Sequence, residues 1–418
     1  MQNLLRSTRT VLLGMAVSQA IPILGSLIIT RLYAPDSFGV FAAWVGMVYV
    51  AAILITGRFE MAFAIVKDES ARQAGVVATL LTATISALAL ILIVAAVTFI
   101  WPQLLPNIPA PLVWSFIPAA FFTALTQIWQ NWAAANGAYK TLSAMRIWLA
   151  LTVTALQIIV GYFAPTATAL AYAYLLGTLF GALASFKLLP LELKPSNSVS
   201  TTTQQIRLFF KQQKQFPKFA LPAGVISSAT AQIPIILIAG KFGVEASGLY
   251  ALATRVLGAP IGLLGKAVLD VFKRTAAQEF EENGHCRRTY RDTFFILSLC
   301  AIALALGVAF LAEPAFGWLF GQNWREAGTI AIWLMPLFAL RFIASPLSYM
   351  FFIAEKQKVE LLWQCVLLLI TVLSFIATQS FKQAIFFYVA GYGFLYIIYL
   401  ALSFHYSKGQ NQRNITEH

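Results

Sequence analysis

Long apolar stretches divide this chain, and its cations fall almost entirely in alternate gaps between them. Of 29 Lys and Arg residues, twenty-two lie in one set of gaps. These are Arg6 and Arg9, Arg58 to Arg72, Lys140 and Arg146, Lys187 to Lys218, Lys273 to Arg291, Lys356 and Lys358, and Lys408 and Arg413. The intervening gaps hold only Arg31, Lys241, Arg325 and Lys382. Cationic loops resist translocation, so the rich side is cytoplasmic and both termini lie on it. A chain so patterned is an all-α polytopic membrane protein, because in hydrocarbon a segment must satisfy its own backbone hydrogen bonds. Arg255, Lys266 and Arg341 belong to neither set and sit inside apolar segments.

A spanning helix takes about 20 apolar residues, since some 30 Å of hydrocarbon is crossed at about 1.5 Å per residue. Stretches of that length cover residues 11–30, 38–57, 219–240, 247–272, 293–312, 327–353, 361–377 and 383–404. The uncharged run 73–139 makes a pair hinged at the proline-rich 101–111, and 147–186 makes a second pair broken near 161–165. This predicts about twelve spans. The boundaries are an N-terminal six-helix bundle over 1–190, a polar cytoplasmic linker over 191–216, a C-terminal six-helix bundle over 217–406 and a cytoplasmic tail over 407–418. The two halves share an order of features. Ile21-Pro22-Ile23, Arg31 and the run Ser37-Phe38-Gly39-Val40-Phe41-Ala42 are answered by Ile233-Pro234-Ile235, Lys241 and Ala246-Ser247-Gly248-Leu249-Tyr250-Ala251. Arg58 and Glu60 are likewise answered by Lys266 and Asp270. Six spans per half is an even number, so the two copies insert in the same orientation and are related by a pseudo-two-fold axis along the membrane normal.

Composition excludes other classes. The chain is 59% hydrophobic and 11% charged, against roughly 25% charged for a soluble domain. A net charge of +13 follows the loop alternation and forms no basic and aromatic patch, which argues against nucleic acid. Cys286, Cys300 and Cys365 have neither metal-ligand nor disulfide spacing. No metal, cofactor or catalytic residue is predicted. There is no GxxxxGK[ST] loop for hydrolysing a nucleotide, and the short periplasmic gaps contain no histidine, so the chain does not read as an enzyme.

Thr30-Arg31-Leu32-Tyr33-Ala34-Pro35-Asp36-Ser37-Phe38-Gly39 resembles the opening loop of bacterial polysaccharide or O-antigen (Wzx-type) flippases of the multidrug/oligosaccharidyl-lipid/polysaccharide exporter superfamily. Gly57-Arg58-Phe59-Glu60 with Lys67-Asp68-Glu69, the stretch 247–272, Trp324-Arg325-Glu326-Ala327 and Arg341-Phe342-Ile343-Ala344-Ser345-Pro346-Leu347-Ser348-Tyr349 extend the likeness over nearly the whole chain. The resemblance implies two bundles around a cavity that opens alternately to each side. It implies as partner an undecaprenyl-pyrophosphate-linked oligosaccharide, carried between the leaflets of the bacterial inner membrane for lipopolysaccharide or other surface polysaccharide. Membrane lipid and other polysaccharide-assembly proteins complete the expected partners. Within the superfamily, a cation-coupled drug exporter favours a carboxylate in its early helices, and residues 11–30 and 38–57 have none. A lipid II flippase usually has fourteen spans and a basic residue well inside its first helix, whereas here Arg31 stands at the helix end. A polysaccharide polymerase or ligase would need a sizeable catalytic loop.

Ionisable groups at membrane depth are costly and mark function unless they snorkel or bond freed backbone carbonyls. Arg341 is the deepest, and Pro336 and Pro346 around it predict a broken or kinked helix, the kind of element on which transporters build substrate sites. Arg255 precedes Pro260. The sequence offers few acids at that depth, and a guanidinium fork matches phosphate oxygens bidentately. Arg341, Arg255, Arg58, Lys266 and Arg31 are therefore the predicted pyrophosphate and cavity residues, with snorkelling the ordinary alternative for Arg58 and Lys266. Gln127, Gln130, Asn131 and Trp132 are more polar than a lipid-facing surface, and either contact sugar or join helices. Trp101, Trp114, Trp318 and Trp324 read as an interfacial belt, and Gly177 and Gly181 as close helix packing.

Overall fold

The computed structural model describes residues 2–100, 109–191, 199–354 and 356–409. Helices α1 (Gln2–Leu32), α2 (Pro35–Thr56), α3 (Glu69–Ile100), α4 (Ala110–Ala135), α5 (Tyr139–Phe163), α6 (Ala167–Leu188), α7 (Val199–Gln212) and α8 (Leu221–Lys241) are followed by α9 (Val244–Asn283), α10 (Arg287–Phe320), α11 (Arg325–Leu347), α12 (Met350–Ile353), α13 (Gln357–Ile376) and α14 (Phe381–Ser407). The described residues form no strand. Among the described residues ten helical segments are long and apolar enough to cross a membrane, against the about twelve expected, and α9 and the shorter apolar stretch Leu362–Ile376 stand outside that set. The all-α, membrane-spanning class predicted from the charge alternation is the one found. The chain divides into two compact units, Met1–Ala239 and Gly240–His418.

In the first unit α2 starts and stops for local reasons. Pro35 presets the first turn of α2, Asp36 meets its N-terminal partial charge, and Gly57 ends it at φ 59° with its N–H on the Leu54 carbonyl. Small residues then let helices approach. A Cβ at Gly25 of α1 would stand 2.1 Å from Thr154 Cγ2 of α5, and one at Gly177 of α6 would stand 2.6 Å from Val153 Cα, so Gly177 and Gly181 are packing residues as expected. Tyr33 fastens the end of α1, its hydroxyl donating to the Gln157 carbonyl of α5 at 2.9 Å. Trp44 donates from Nε1 to the Leu112 carbonyl at 2.9 Å, tying α2 to α4. The predicted linker contains α7, which buries Phe209 against Gly75 of α3 and Phe59.

In the second unit α11 is central, packing on α9, α10 and α14, while α13 packs on α14. Gly328 brings α11 onto α10, where a Cβ would meet the Ala312 carbonyl at 2.7 Å. Buried Tyr388, Tyr392, Tyr396 and Tyr399 form a ladder along α14, and Trp363 and Phe351 pack on its lower rungs. At its end, Cys286 N–H donates to the Ser407 carbonyl at 2.9 Å.

The units repeat one local arrangement. Thr166 caps α6 by accepting from Ala169 N–H, and Ser380 caps α14 by accepting from Gln383 N–H. A buried tyrosine follows eight residues after each cap, Tyr174 and Tyr388. Tyr174 meets Phe41 of α2 ring to ring at 6.1 Å, and the Tyr388 hydroxyl interacts with that of Tyr250 of α9. Phe41 and Tyr250 occupy the same position in the two runs aligned by sequence.

Candidate functional site

Arg58 is set by an unusual turn. It follows Gly57 with φ 61°, the only non-glycine residue with positive φ among the described residues, and begins the 3-10 turn Phe59–Ala64. That conformation costs an L residue about 1–2 kcal/mol and turns the chain sharply at the end of α2. The Arg58 guanidinium stands 3.6 Å from Glu60, with the carboxylate 1% exposed. Burial pushes the Glu60 carboxyl above its usual range, partly opposed by its own backbone N–H, by Thr56 and by Arg58. Arg58 Nε and Glu60 Oε2 are buried without a hydrogen-bond partner among the described residues. Gly224 of α8 is what makes room, since a Cβ there would lie 2.4 Å from Arg58 Nε.

Lys266 does not share that geometry. α9 runs without interruption to Asn283, so the span carrying Lys266 has no counterpart of the Gly57–Arg58 turn, although the sequence paired them. The side chains of Lys266 and Asp270 lie outside the described residues. Arg31 is exposed in the last turn of α1, where its charge faces the helix C-terminus favourably.

The polar C-terminal end of α4 separates into parts. Trp132 is buried and packs on Trp129 at 6.0 Å, and Trp129 donates to the Leu189 carbonyl at 3.0 Å, so the Trp129 indole joins α4 to the end of α6. Asn131 is exposed and turns its amide back to the Gln127 carbonyl. Gln130 accepts from Arg146 Nε at 3.3 Å. Arg146 was counted with the loop cations, but it is half-buried two turns inside α5. Its signal was position seven residues beyond Tyr139, overlooked because no acid or proline drew attention to it. Arg72 is structural, holding the Val66 carbonyl through Nε and Nη2 and Asn136 through Nη1.

Arg341 projects from α11 as an exposed side chain. The spanning segment runs Gln322–Ile353, so Arg341 is nineteen residues from one end and twelve from the other. The expected break beside it is displaced: α11 continues through Pro336 and stops at Leu347, next to Pro346, before the short α12. Pro336 costs the helix a hydrogen bond without ending it. Arg341 lies within electrostatic reach of the Tyr250 and Tyr392 hydroxyls, and Tyr392 is bonded to Thr371 of α13 at 2.8 Å. Two other helices, α9 and α14, thus bring hydroxyls toward this cation, and Thr371 of α13 holds one of them. The tyrosines were missed, although their spacing of four, four and three on α14 was visible as one helical face. Arg255 lies half-buried on α9 and is engaged by a neighbour. Of the supposed aromatic belt, Trp114 and Trp318 are exposed, Trp324 is 1% exposed and therefore core, and Trp101 lies outside the described residues.

Ten helices long and apolar enough to cross a membrane, with no strand among the described residues, define a polytopic all-α membrane protein. Residues 28–329 match the family described as polysaccharide biosynthesis protein, and the chain belongs to that family. It is 26% identical over 166 residues to the teichuronic acid biosynthesis protein TuaB of Bacillus subtilis (strain 168), a match spanning 40% of this chain and 34% of that relative. Among solved structures, an inward-facing multidrug resistance MATE family transporter of the MOP superfamily superposes with a TM-score of 0.69 at 15% identity, over 92% of this chain and 93% of that one. The lipid II flippase MurJ in an inward closed conformation gives 0.70 at 14% identity, over 94% of this chain and 87% of that one. The fold is the one shared with these two structures, as the resemblance read from the sequence implied.

Proposed function

We propose that this protein turns an undecaprenyl-pyrophosphate-linked oligosaccharide from the cytoplasmic to the periplasmic leaflet of the bacterial inner membrane, by alternating access, for surface polysaccharide synthesis. The fold is common to transporters of drugs and of lipid-linked precursors, so it does not choose the cargo. Family membership favours a polysaccharide precursor. The observation that carries the reading is Arg341, an exposed guanidinium deep in a spanning segment with tyrosine hydroxyls about it. A planar fork of donors at such depth suits a phosphate-bearing headgroup better than an apolar drug. Arg255 is its companion on α9, and Arg58, Lys266 and Arg31 serve the headgroup elsewhere on its route. Gln127, Gln130 and Asn131 are the proposed sugar-side residues, and Trp132, buried against Trp129, takes the other role expected of this group, helix packing. The chain acts without chemistry of its own, and works with polysaccharide-assembly proteins in the same membrane. Both termini and the 191–216 segment face the cytoplasm, and that segment divides six spans from six.

The test is surface polysaccharide export in a strain lacking the native gene, normalised to membrane protein level. Arg341→Ala abolishes export, and Arg341→Lys, which keeps the charge and loses the fork, impairs it. Parental export by both Arg341→Ala and Arg255→Ala overturns the anion site.

A further inference from the structure

The groove between α10 and α14 is not used by the transport reading. It has a volume of about 330 Å³ and is lined by Tyr290, Arg291, Phe294, Leu400, Ala401 and Phe404. Its lining is apolar apart from Arg291, and it lies at the end of two membrane spans, Arg287–Phe320 and Phe381–Ser407. We propose that this groove is a binding site for an anionic phospholipid, with an acyl chain lying along Phe294, Leu400 and Phe404 and the phosphate held at the mouth.

The charge at the mouth selects the headgroup. Arg287 lies over the Phe404 ring at 5.9 Å and Lys408 over the same ring at 4.9 Å, so two cations from different helices converge on one lining residue. Arg291 adds a third at the wall, and all three are exposed. Opposing charge is limited. Asp292 stands 3.9 Å from Arg291 and 4.0 Å from Arg288, while Glu279 is taken up by the Thr289 N–H and hydroxyl. An apolar channel ending in such a cationic cluster at the membrane surface complements an anionic lipid. A zwitterionic lipid brings an ammonium into the same cluster.

The groove is also preformed. The Tyr290 hydroxyl bonds Ser403 at 2.6 Å and the Leu400 carbonyl at 3.2 Å, and Cys286 N–H holds Ser407. These bonds fix the separation of the two helices, so a lipid enters a walled slot and need not open one.

The inference requires only that α10 and α14 span the membrane, and is independent of the cargo. The experiment is native mass spectrometry of the full chain in detergent, titrated with phosphatidylglycerol or phosphatidylcholine. Retention of phosphatidylglycerol at tenfold lower concentration is expected, and is expected to persist in Arg341→Ala. The combined change Arg287→Ala, Arg291→Ala and Lys408→Ala removes that preference. Ala401→Trp, which fills the slot and leaves the cations in place, prevents binding of either lipid. Millimolar inorganic phosphate leaves the bound lipid in place. Equal retention of the two lipids, displacement by phosphate, or parental retention by Ala401→Trp each overturns the proposal. Should the triple change fail to fold, Ala401→Trp decides alone, with a thermal melt to establish that it is folded.

Discussion

The Arg58 guanidinium rests on the backbone of Gly224, close enough that a Cβ on Gly224 would stand 2.4 Å from Nε and 2.6 Å from Nη2. The ion pair with Glu60 and the packing of α8 at this point therefore compete for one space. Gly224→Ala is expected to lower stability by about 1–3 kcal/mol, the usual cost of overpacking. In an Arg58→Ala background the same change is expected to cost much less. A double-mutant cycle on thermal melts in detergent measures the coupling, and additivity of the two changes would refute the contact.

Glu60 makes stability depend on pH. Burial raises its folded-state pKa, so its contribution is fully present below the ordinary carboxylate range and is lost as pH rises through the raised folded value. Glu60→Gln removes that titration. The variant is expected to melt less steeply with pH than the parent, and to gain on it as pH rises from acid to neutral. A parental slope in the variant would assign the pH dependence to other groups.

Gly177 offers a different kind of limit, because its neighbours are backbone atoms, Val153 Cα at 2.6 Å and Val153 N at 2.9 Å from a built Cβ. These cannot rotate away. Gly177→Leu is expected to cut the yield of folded protein severely, by separating α5 from α6. Gly137→Ala, at φ 67° with open space around it, should cost only about 1–2 kcal/mol of backbone strain. Comparable losses in the two, read by fluorescence-detected gel filtration, would contradict the packing argument.

Tyr392 is the hydroxyl that joins Arg341's surroundings to α13. Tyr392→Phe keeps the ring and loses the hydroxyl's hydrogen bonds to Thr371 and Tyr388, whose hydroxyls retain the Leu367 carbonyl at 2.8 Å and Tyr250 respectively. The stability cost is expected near 1 kcal/mol. Export normalised to protein level is expected to fall several-fold, because the polar surroundings of Arg341 change. Unchanged export would make the tyrosine ladder purely architectural.

Sidedness rests on the cation alternation. A cysteine replacing Ser198, with Cys286, Cys300 and Cys365 removed, is expected to resist an impermeant thiol reagent in intact cells and to react after permeabilisation. Labelling of intact cells would invert the topology.

What could be read from the chain is what depends on each segment's own contact with its solvent. Apolar runs of spanning length and the loop cations gave the all-α, membrane-spanning class, because insertion is decided segment by segment. The aligned runs around Phe41 and Tyr250 gave the repeat. The sequence could not say what faces a side chain across a helix boundary, since that depends on rotation and approach of separate helices. Trp132 and Trp324, polar-tipped and near helix ends, turned out to be core, while Arg146 left its assigned loop for a half-buried place beside Gln130. Lys266 and Arg58 were matched by order, but only the latter follows a left-handed glycine that stops its helix. Tyr250 and Tyr392 came within reach of Arg341 only when α9, α11 and α14 packed together. Hydrophobicity sets which segments enter the membrane, and close packing, governed by glycines such as Gly224 and Gly177, decides which residues then meet.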